Sequence, residues 1–235
     1  MKSVNDFHWF HCIDLGNGIT TPGMFRVEDL HYYYPNLPQN LAGKSILDIG
    51  AWDGFNSFLA EKRGASRVVA LDKWDTSQGD LGYFYDPSLV KTGPSKEPFD
   101  FAHDALHSKV ESMQMSVYDI NPKNVGMFDI VFMFGVYYHL KHPLLAFEKV
   151  RAICKEYALI EGHIDLQEVK TPACAFYDAD QCNTDFSCWT GPNVPCMISW
   201  LKIAGFSNIT LLSLEPMHSD FSIPNCARGF FKAEI

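Results

Sequence analysis

The chain has 235 residues, 47% of them hydrophobic and 14% aromatic, enough apolar surface for one large globular domain. Its 19 basic residues against 28 acidic ones leave a formal net charge of −9, which repels a polyanion at long range, so nucleic acid is not an expected partner. No apolar run reaches the roughly 18 residues a bilayer span needs, and the opening MKSVNDFHWFHCIDLGNG lacks the apolar core of a signal peptide, so a soluble, cytoplasmic protein without membrane contact is expected.

In chain order, residues 1–40 carry an aromatic and imidazole cluster, His8, Trp9, Phe10 and His11, then a hairpin signal at Gly16-Asn17-Gly18 and a turn signal at Pro22-Gly23. This segment reads as an N-terminal lid, with His11 helping to enclose a substrate. SILDIG, from Ser45, is a short apolar strand. AWDG turns it into FNSFLAEKRG, where Phe55, Phe58 and Leu59 recur at helical spacing before Gly64, and RVVALD at 67–72 is the next strand. A strand, glycine turn, helix and strand of this length make a parallel pair.

Residues 73–99, rich in Gly, Pro, Asp and Tyr, read as a long loop, FAHDALHSKV as a helix and VESMQMSV as a third strand. FDIVFMFGV at 128–136 is apolar enough for a central strand buried on both faces. HPLLAFEKVRAIC follows as a helix opened by Pro143, and YALIEGHI at 157–164 as another strand. A second long loop, 165–192, reads as a substrate-loop insertion. Asn193 then caps a helix whose Val194, Met197, Ile198 and Leu201 follow i, i+3, i+4, i+7 up to Gly205. NITLLSLEP and ARGFFKAEI complete an alternation that predicts an α/β fold.

The seven cysteines, Cys12, Cys154, Cys174, Cys182, Cys188, Cys196 and Cys226, read as free thiols in a reducing compartment. Between 174 and 196 their spacings of eight, six and eight residues lack the tight pairs of structural zinc, so no metal site is expected, with a soft-metal thiol site as the lesser alternative.

The glycine turn separates cofactor classes. Dinucleotide folds use G-x-G-x-x-G and an acid about 20 residues on, the place of Asp72. DIGAWDG instead sets Asp48 before Gly50 and lacks the glycine two positions later that admits a pyrophosphate, with Gly54 closing the turn. A ligand with a ribose and no phosphates suits such a turn, and S-adenosylmethionine is one.

SILDIGAWDGFNSFLAEKRGASRVVALD resembles the first motif of class I S-adenosylmethionine-dependent methyltransferases. FDIVFMFGVYYHLKHPLLAFEKV resembles the fourth-strand motif of the branch that holds the tRNA wobble-uridine carboxymethyltransferase. The likeness covers roughly 44–164 and the C-terminal strands. It implies a Rossmann-like, seven-stranded, mostly parallel sheet with helices on both faces and a last antiparallel hairpin, in one domain over 1–235. It also implies S-adenosylmethionine as cofactor, bound by Asp48, Gly50, Gly54, Asp72 at the ribose, Lys73, Tyr118 along the adenine ring, Asp119 at its amino group, and Phe134. In that branch a carboxylated cofactor is met by a tyrosine and a C-terminal arginine, which fall on Tyr138 and Arg228. A third contact, a lysine, has no counterpart in FHWFHCIDLGNG. With that contact missing and a charge of −9, ordinary methyl transfer to a small molecule is expected.

In FGVYYHLKHP, Tyr138 is expected to shape the transfer pocket and His139 to orient or deprotonate the acceptor. Glu161, His163 and Asp165 alternate in EGHID and so share one strand face, Glu161 and His163 being substrate candidates. Trp189 and Asn193 are candidates for shaping the substrate loop, whereas Trp52 reads as a wall. A tRNA-modifying (carboxy)methyltransferase, a non-catalytic cofactor-binding module and a nicotinamide oxidoreductase are the rival readings.

Overall fold

The computed structural model describes residues 2–31, 33–74, 95–178, 180–182, 184–217 and 226–235. Short 3-10 turns and a hairpin of β1 (Asp14–Gly16) and β2 (Ile19–Thr20) open the chain. The hairpin turns at Asn17 and Gly18, whose φ values of 53° and 75° are the left-handed pair a two-residue turn requires. An alternation follows: β3 (Ser45–Ile49), α1 (Phe55–Lys62), β4 (Arg67–Asp72), α2 (Lys96–Leu106), β5 (Glu111–Gln114), β6 (Phe128–Phe134), α3 (Pro143–Ile153) and β7 (Cys154–Ile164). A second hairpin of β8 (Cys174–Phe176) and β9 (Thr190–Pro192) precedes α4 (Val194–Ile203), β10 (Asn208–Pro216) and β11 (Ala227–Glu234).

One seven-stranded sheet has the order β10-β11-β7-β6-β3-β4-β5, parallel from β7 to β5, with β11 antiparallel to both of its neighbours. This is the architecture the sequence implied. The central strands are continuous apolar runs because both faces are covered. Phe147, Val150, Met197 and Leu201 close one face, while Trp9, Tyr33, Phe58 and Phe99 close the other. Strand order reverses between β3 and β6, so the crevice of an open parallel sheet lies at their carboxyl ends. Among the described residues no helix is long and apolar enough to cross a membrane.

Some boundaries differ from expectation. The helix expected at 101–110 starts earlier, at Lys96, because Ser95 caps it by accepting from Glu97 N, and it ends at Leu106 before the left-handed His107. Residues 96–99, expected to belong to the preceding loop, therefore belong to the helix, while 75–94 lie outside the described residues. The strand expected at 157–164 begins at Cys154, directly after α3.

The glycine turn is shaped from within the protein. Gly50 has φ 77°, and a Cβ there would come within 2.3 Å of Val136 Cγ2, so the turn after β3 touches the turn after β6. At Gly54 (φ 88°) a Cβ would strike the rings of Phe58 and Phe99. Between them, the fully buried Asp53 clasps the N-terminal segment: Oδ2 accepts from Phe10 N (3.0 Å) and His11 N (2.7 Å), while Oδ1 accepts from His11 Nδ1 (2.8 Å). The His11 ring also stacks on Phe55, 4.7 Å away.

Asp53→Ala strands these buried donors and is expected to cost roughly 2–3 kcal/mol in denaturant unfolding. It is also expected to open the first 30 residues to proteolysis. A loss under about 0.5 kcal/mol with unchanged cleavage would disprove the clasp.

Candidate active site

On the β3–β4 side, Asp72 ends its strand and templates two turns at once. Its Oδ2 accepts from Trp52 N (2.8 Å), and its Oδ1 accepts from Lys73 N (2.6 Å) and Trp74 N (3.3 Å). Both tryptophans are left-handed, with φ of 48° and 43°, and Trp74 Nε1 donates to Trp52 O at 2.8 Å. Burial pushes the Asp72 carboxyl up, and the three backbone donors oppose that rise. An ionised carboxylate has about four acceptor positions, so about one is left for a ligand hydroxyl. The Trp52 ring lies against Phe10, 5.4 Å away, as a wall.

Asp48 lies beneath the turn. It is buried, its Oδ2 accepts from Ser57 Oγ at 2.6 Å, and burial pushes its carboxyl up to about 7. The sequence placed it at the cofactor, whereas the structure uses it to tie β3 to α1. Gly50 N likewise donates to Leu71 O (2.8 Å), and Gly54 N to Ala51 O (2.7 Å). Asp119 is exposed beyond β5. Tyr118 beside it accepts at its hydroxyl from His142 N (3.0 Å), joining the expected adenine wall to the start of α3. Phe134, at the end of β6, packs against Tyr33 and Phe230.

On the β6–β7 side the break in FGVYYHLKHP is a 3-10 turn, Tyr137–His139. Tyr137 is fully buried and donates to His163 O at 2.6 Å. Tyr138 accepts from Arg228 Nη1 at 3.0 Å, and the guanidinium also lies over the Tyr138 ring. The rest of that guanidinium forks onto Glu161 through Nε and Nη2, both at 2.6 Å, and Glu161 is only 2% exposed. Burial is the main reason that the Tyr138 phenol is pushed up and stays protonated.

Glu161, His163 and Asp165 do share a face of β7 and its extension, and the last two are joined by a residue the sequence reading missed. Tyr177 donates its hydroxyl to Asp165 Oδ2 (2.8 Å) and lies 2.7 Å from His163 Nε2. Burial, then the charge of Arg228, pushes His163 down to about 3, so it is neutral where free histidine titrates. His139 is also lowered, chiefly by burial, and its Nδ1 lies 2.8 Å from Ser187 Oγ.

Two expected substrate contacts are turned inward. Asn193, 0% exposed, accepts from Cys196 N (2.9 Å) and Ala173 N (3.1 Å) and donates to Val169 O and Thr171 O (both 2.8 Å), which fills its hydrogen-bonding capacity. It is a helix cap that also ties down the loop before β8. His11 is engaged by Asp53, as described above. Trp189 covers the motif turn, with its backbone N donating to Tyr138 O at 2.7 Å and Lys141 over its ring. A surface groove lined by Ile13, Leu15, Phe55 and Leu59 includes none of Asp72, Asp119, Tyr138, His139 and Arg228. Asp53 and Tyr177 carried little sequence signal, one being a common turn acid and the other lying in a loop without periodicity.

No protein-family model matches the chain. Among curated proteins it is 30% identical over 187 residues to a tRNA U34 carboxymethyltransferase of Pseudomonas fluorescens, covering 75% of this chain and 49% of that protein. It is 27% identical over 187 residues to the protein of the same name from Saccharophagus degradans, covering 77% and 50%. The chain thus spans about half the length of the curated relatives it matches. Among solved structures, the N-terminal domain of EvdMO1 in the presence of SAH and D-fucose superposes with a TM-score of 0.64 at 14% identity, covering 96% of this chain and 91% of that one. An S-adenosylmethionine-dependent methyltransferase from Mesorhizobium loti gives 0.58 at 14% identity, covering 87% and 98%. The chain therefore has the class I S-adenosylmethionine-dependent methyltransferase fold and in sequence resembles the tRNA U34 carboxymethyltransferase branch.

Proposed function

We propose that this chain is a cytoplasmic S-adenosylmethionine-dependent methyltransferase acting on a small-molecule acceptor, with 1–40 as its lid and 165–192 as its substrate loop. The observation that carries the choice of cofactor is the Arg228–Glu161 fork. The resemblance makes Tyr138 and Arg228 the contacts for a carboxylated cofactor, and the two side chains do meet. The arginine's charge is nevertheless already balanced by a buried carboxylate through two 2.6 Å bonds. A second carboxylate there would face Glu161, a like charge. The ordinary methyl-bearing cofactor suits this arrangement better.

The residues on the other side fit the nucleoside. Asp72 retains acceptor capacity for a ribose hydroxyl, Asp119 is exposed for an adenine amino group, and Tyr118 and Phe134 supply walls. Lys73 and the backbone around Gly50 complete that side. When bound, the cofactor supplies a methyl already activated on a sulfonium, so the protein needs to align the acceptor and exclude water more than to generate a nucleophile. Tyr138, held by Arg228, shapes the pocket. His139, kept neutral, orients the acceptor or takes its proton, and Trp189 closes the loop over both. Transfer to tRNA, which the relatives' names favour, is the second reading, opposed by the net charge of −9.

Calorimetry is expected to show S-adenosylhomocysteine binding at one site and no heat with NAD. Asp119→Ala, an exposed change, is expected to weaken the former about fivefold, the worth of one hydrogen bond. Tight NAD binding without a response to S-adenosylhomocysteine would remove the methyltransferase reading.

The wild-type chain is also expected to prefer S-adenosylmethionine over its carboxylated form by about tenfold or more, roughly 1.4 kcal/mol. Glu161→Gln, by releasing the Arg228 fork, is expected to reverse part of that preference. A wild-type preference for the carboxylated cofactor, with saturable tRNA binding at moderate salt, would replace this reading with the second one.

A further inference from the structure

We propose that the loop over the Tyr137–His139 turn is a binding site for a zinc-class divalent cation, held by His139 Nδ1, the Asp185 carboxylate and the thiolates of Cys188 and Cys182. The ligand atoms of His139, Asp185 and Cys188 all lie within 4.8 Å of one another. His139 Nδ1 and Cys188 Sγ are 3.9 Å apart. With a metal–nitrogen bond of about 2.1 Å and a metal–sulfur bond of about 2.3 Å, a tetrahedral centre separates two such atoms by about 3.6 Å, so the pair needs only a small closure. Cys182 lies outside that 4.8 Å group but packs beside Cys188, the two thiols being buried together next to Tyr177, and it joins the set as the loop closes on the ion.

The spacing that reads against zinc in the sequence is overcome by backbone geometry. Asp185 N donates to Cys182 O (2.9 Å) and Cys188 N to Asp185 O (3.4 Å), two successive turns that advance by three residues each. They bring residues 182, 185 and 188 to one side of the loop, facing a histidine from a different part of the chain. One imidazole, one carboxylate and two thiolates form a borderline-soft set that selects zinc-like ions over magnesium or calcium. Ser187 Oγ bridges the acid and the imidazole, 2.5 Å from Asp185 Oδ1 and 2.8 Å from His139 Nδ1, and Ser187 O lies 3.2 Å from the same nitrogen, so the ion takes the place of these serine contacts. Asp185 is exposed, which gives the ion a way in. Four protein ligands make a closed site, which staples the substrate loop to the motif turn and leaves His139 a protonated Nε2 that can orient an acceptor but not take its proton.

The test is a cobalt(II) titration of the full chain, reduced and stripped of metal with a chelator. The expected result is saturation at one equivalent, with a thiolate-to-cobalt charge-transfer band and intense tetrahedral ligand-field bands, both abolished by added zinc. Cys188→Ser and Asp185→Ala are each expected to weaken binding by about tenfold or more. Cys182→Ser is expected to keep the site with about half of the charge-transfer intensity, as one of two thiolates is lost. Ser187→Ala and Cys174→Ser are expected to bind as the wild type does. Asp185→Ala alters an exposed residue, so it remains decisive if the cysteine variants misfold. Absence of the charge-transfer band at one equivalent, its survival at full affinity in Asp185→Ala, or its loss in Cys174→Ser would each overturn the proposal.

Discussion

The contact between Gly50 and Val136 couples the two halves of the site. A single added methyl group at position 50 would meet Val136 Cγ2 at 2.3 Å, so the turn after β3 and the turn after β6 are held at van der Waals distance by the lack of a side chain. Everything placed by one turn is therefore placed relative to the other. Asp72 organises the first with three backbone donors, and Tyr137 anchors the second through His163 O. The N-terminal segment is fastened to the first turn by Asp53, and the loop before β9 is fastened to the second by Trp189 N on Tyr138 O.

Buried charge near the motif turn is balanced within the site. Glu161 is almost wholly shielded, and removing either partner of such a fork leaves an uncompensated charge, which typically costs about 3–5 kcal/mol. Around the fork three neighbouring side chains are held toward their neutral forms. His163 is pushed down to about 3, Tyr138 remains a phenol, and His139 is lowered by burial. On the proposed reading, a balanced ion pair beside neutral side chains suits a reaction that depends on alignment more than on proton transfer.

What the sequence made legible was what depends on neighbours along the chain. Apolar runs, glycine-punctuated turns and period-3.6 segments located the strands, the Asp72 strand end and the shared face of Glu161 and His163, because each is set within about ten residues. The start of α2 was misplaced because Ser95 and Pro98 look like the end of a loop and also form a sound helix start. Side-chain direction was harder to read. Asn193 was recognised as a cap, but its second task, binding Val169 O and Thr171 O, depends on how the loop returns. His11 looked like a lid residue facing a substrate, since its partner, Asp53, lies 42 positions away. Tyr177 and Ser187 likewise acquire meaning only when β7 and the motif turn bring His163 and His139 to them.

On the proposed reading, the charge balance also explains why an arginine can stand near a cationic cofactor. At an effective dielectric constant near 20, two unit charges about 5 Å apart interact by about 3 kcal/mol, so an unbalanced guanidinium would oppose a sulfonium and favour a ligand carrying an extra carboxylate. Glu161 removes that bias at its source through a bidentate pair, leaving the guanidinium to orient the Tyr138 hydroxyl. The surrounding field, set by a net charge of −9, favours a cation as well. A motif that resembles that of carboxymethyltransferases is, on this reading, compatible with different cofactor chemistry. The arginine and tyrosine are both present, but the carboxylate they would receive is already supplied by the protein.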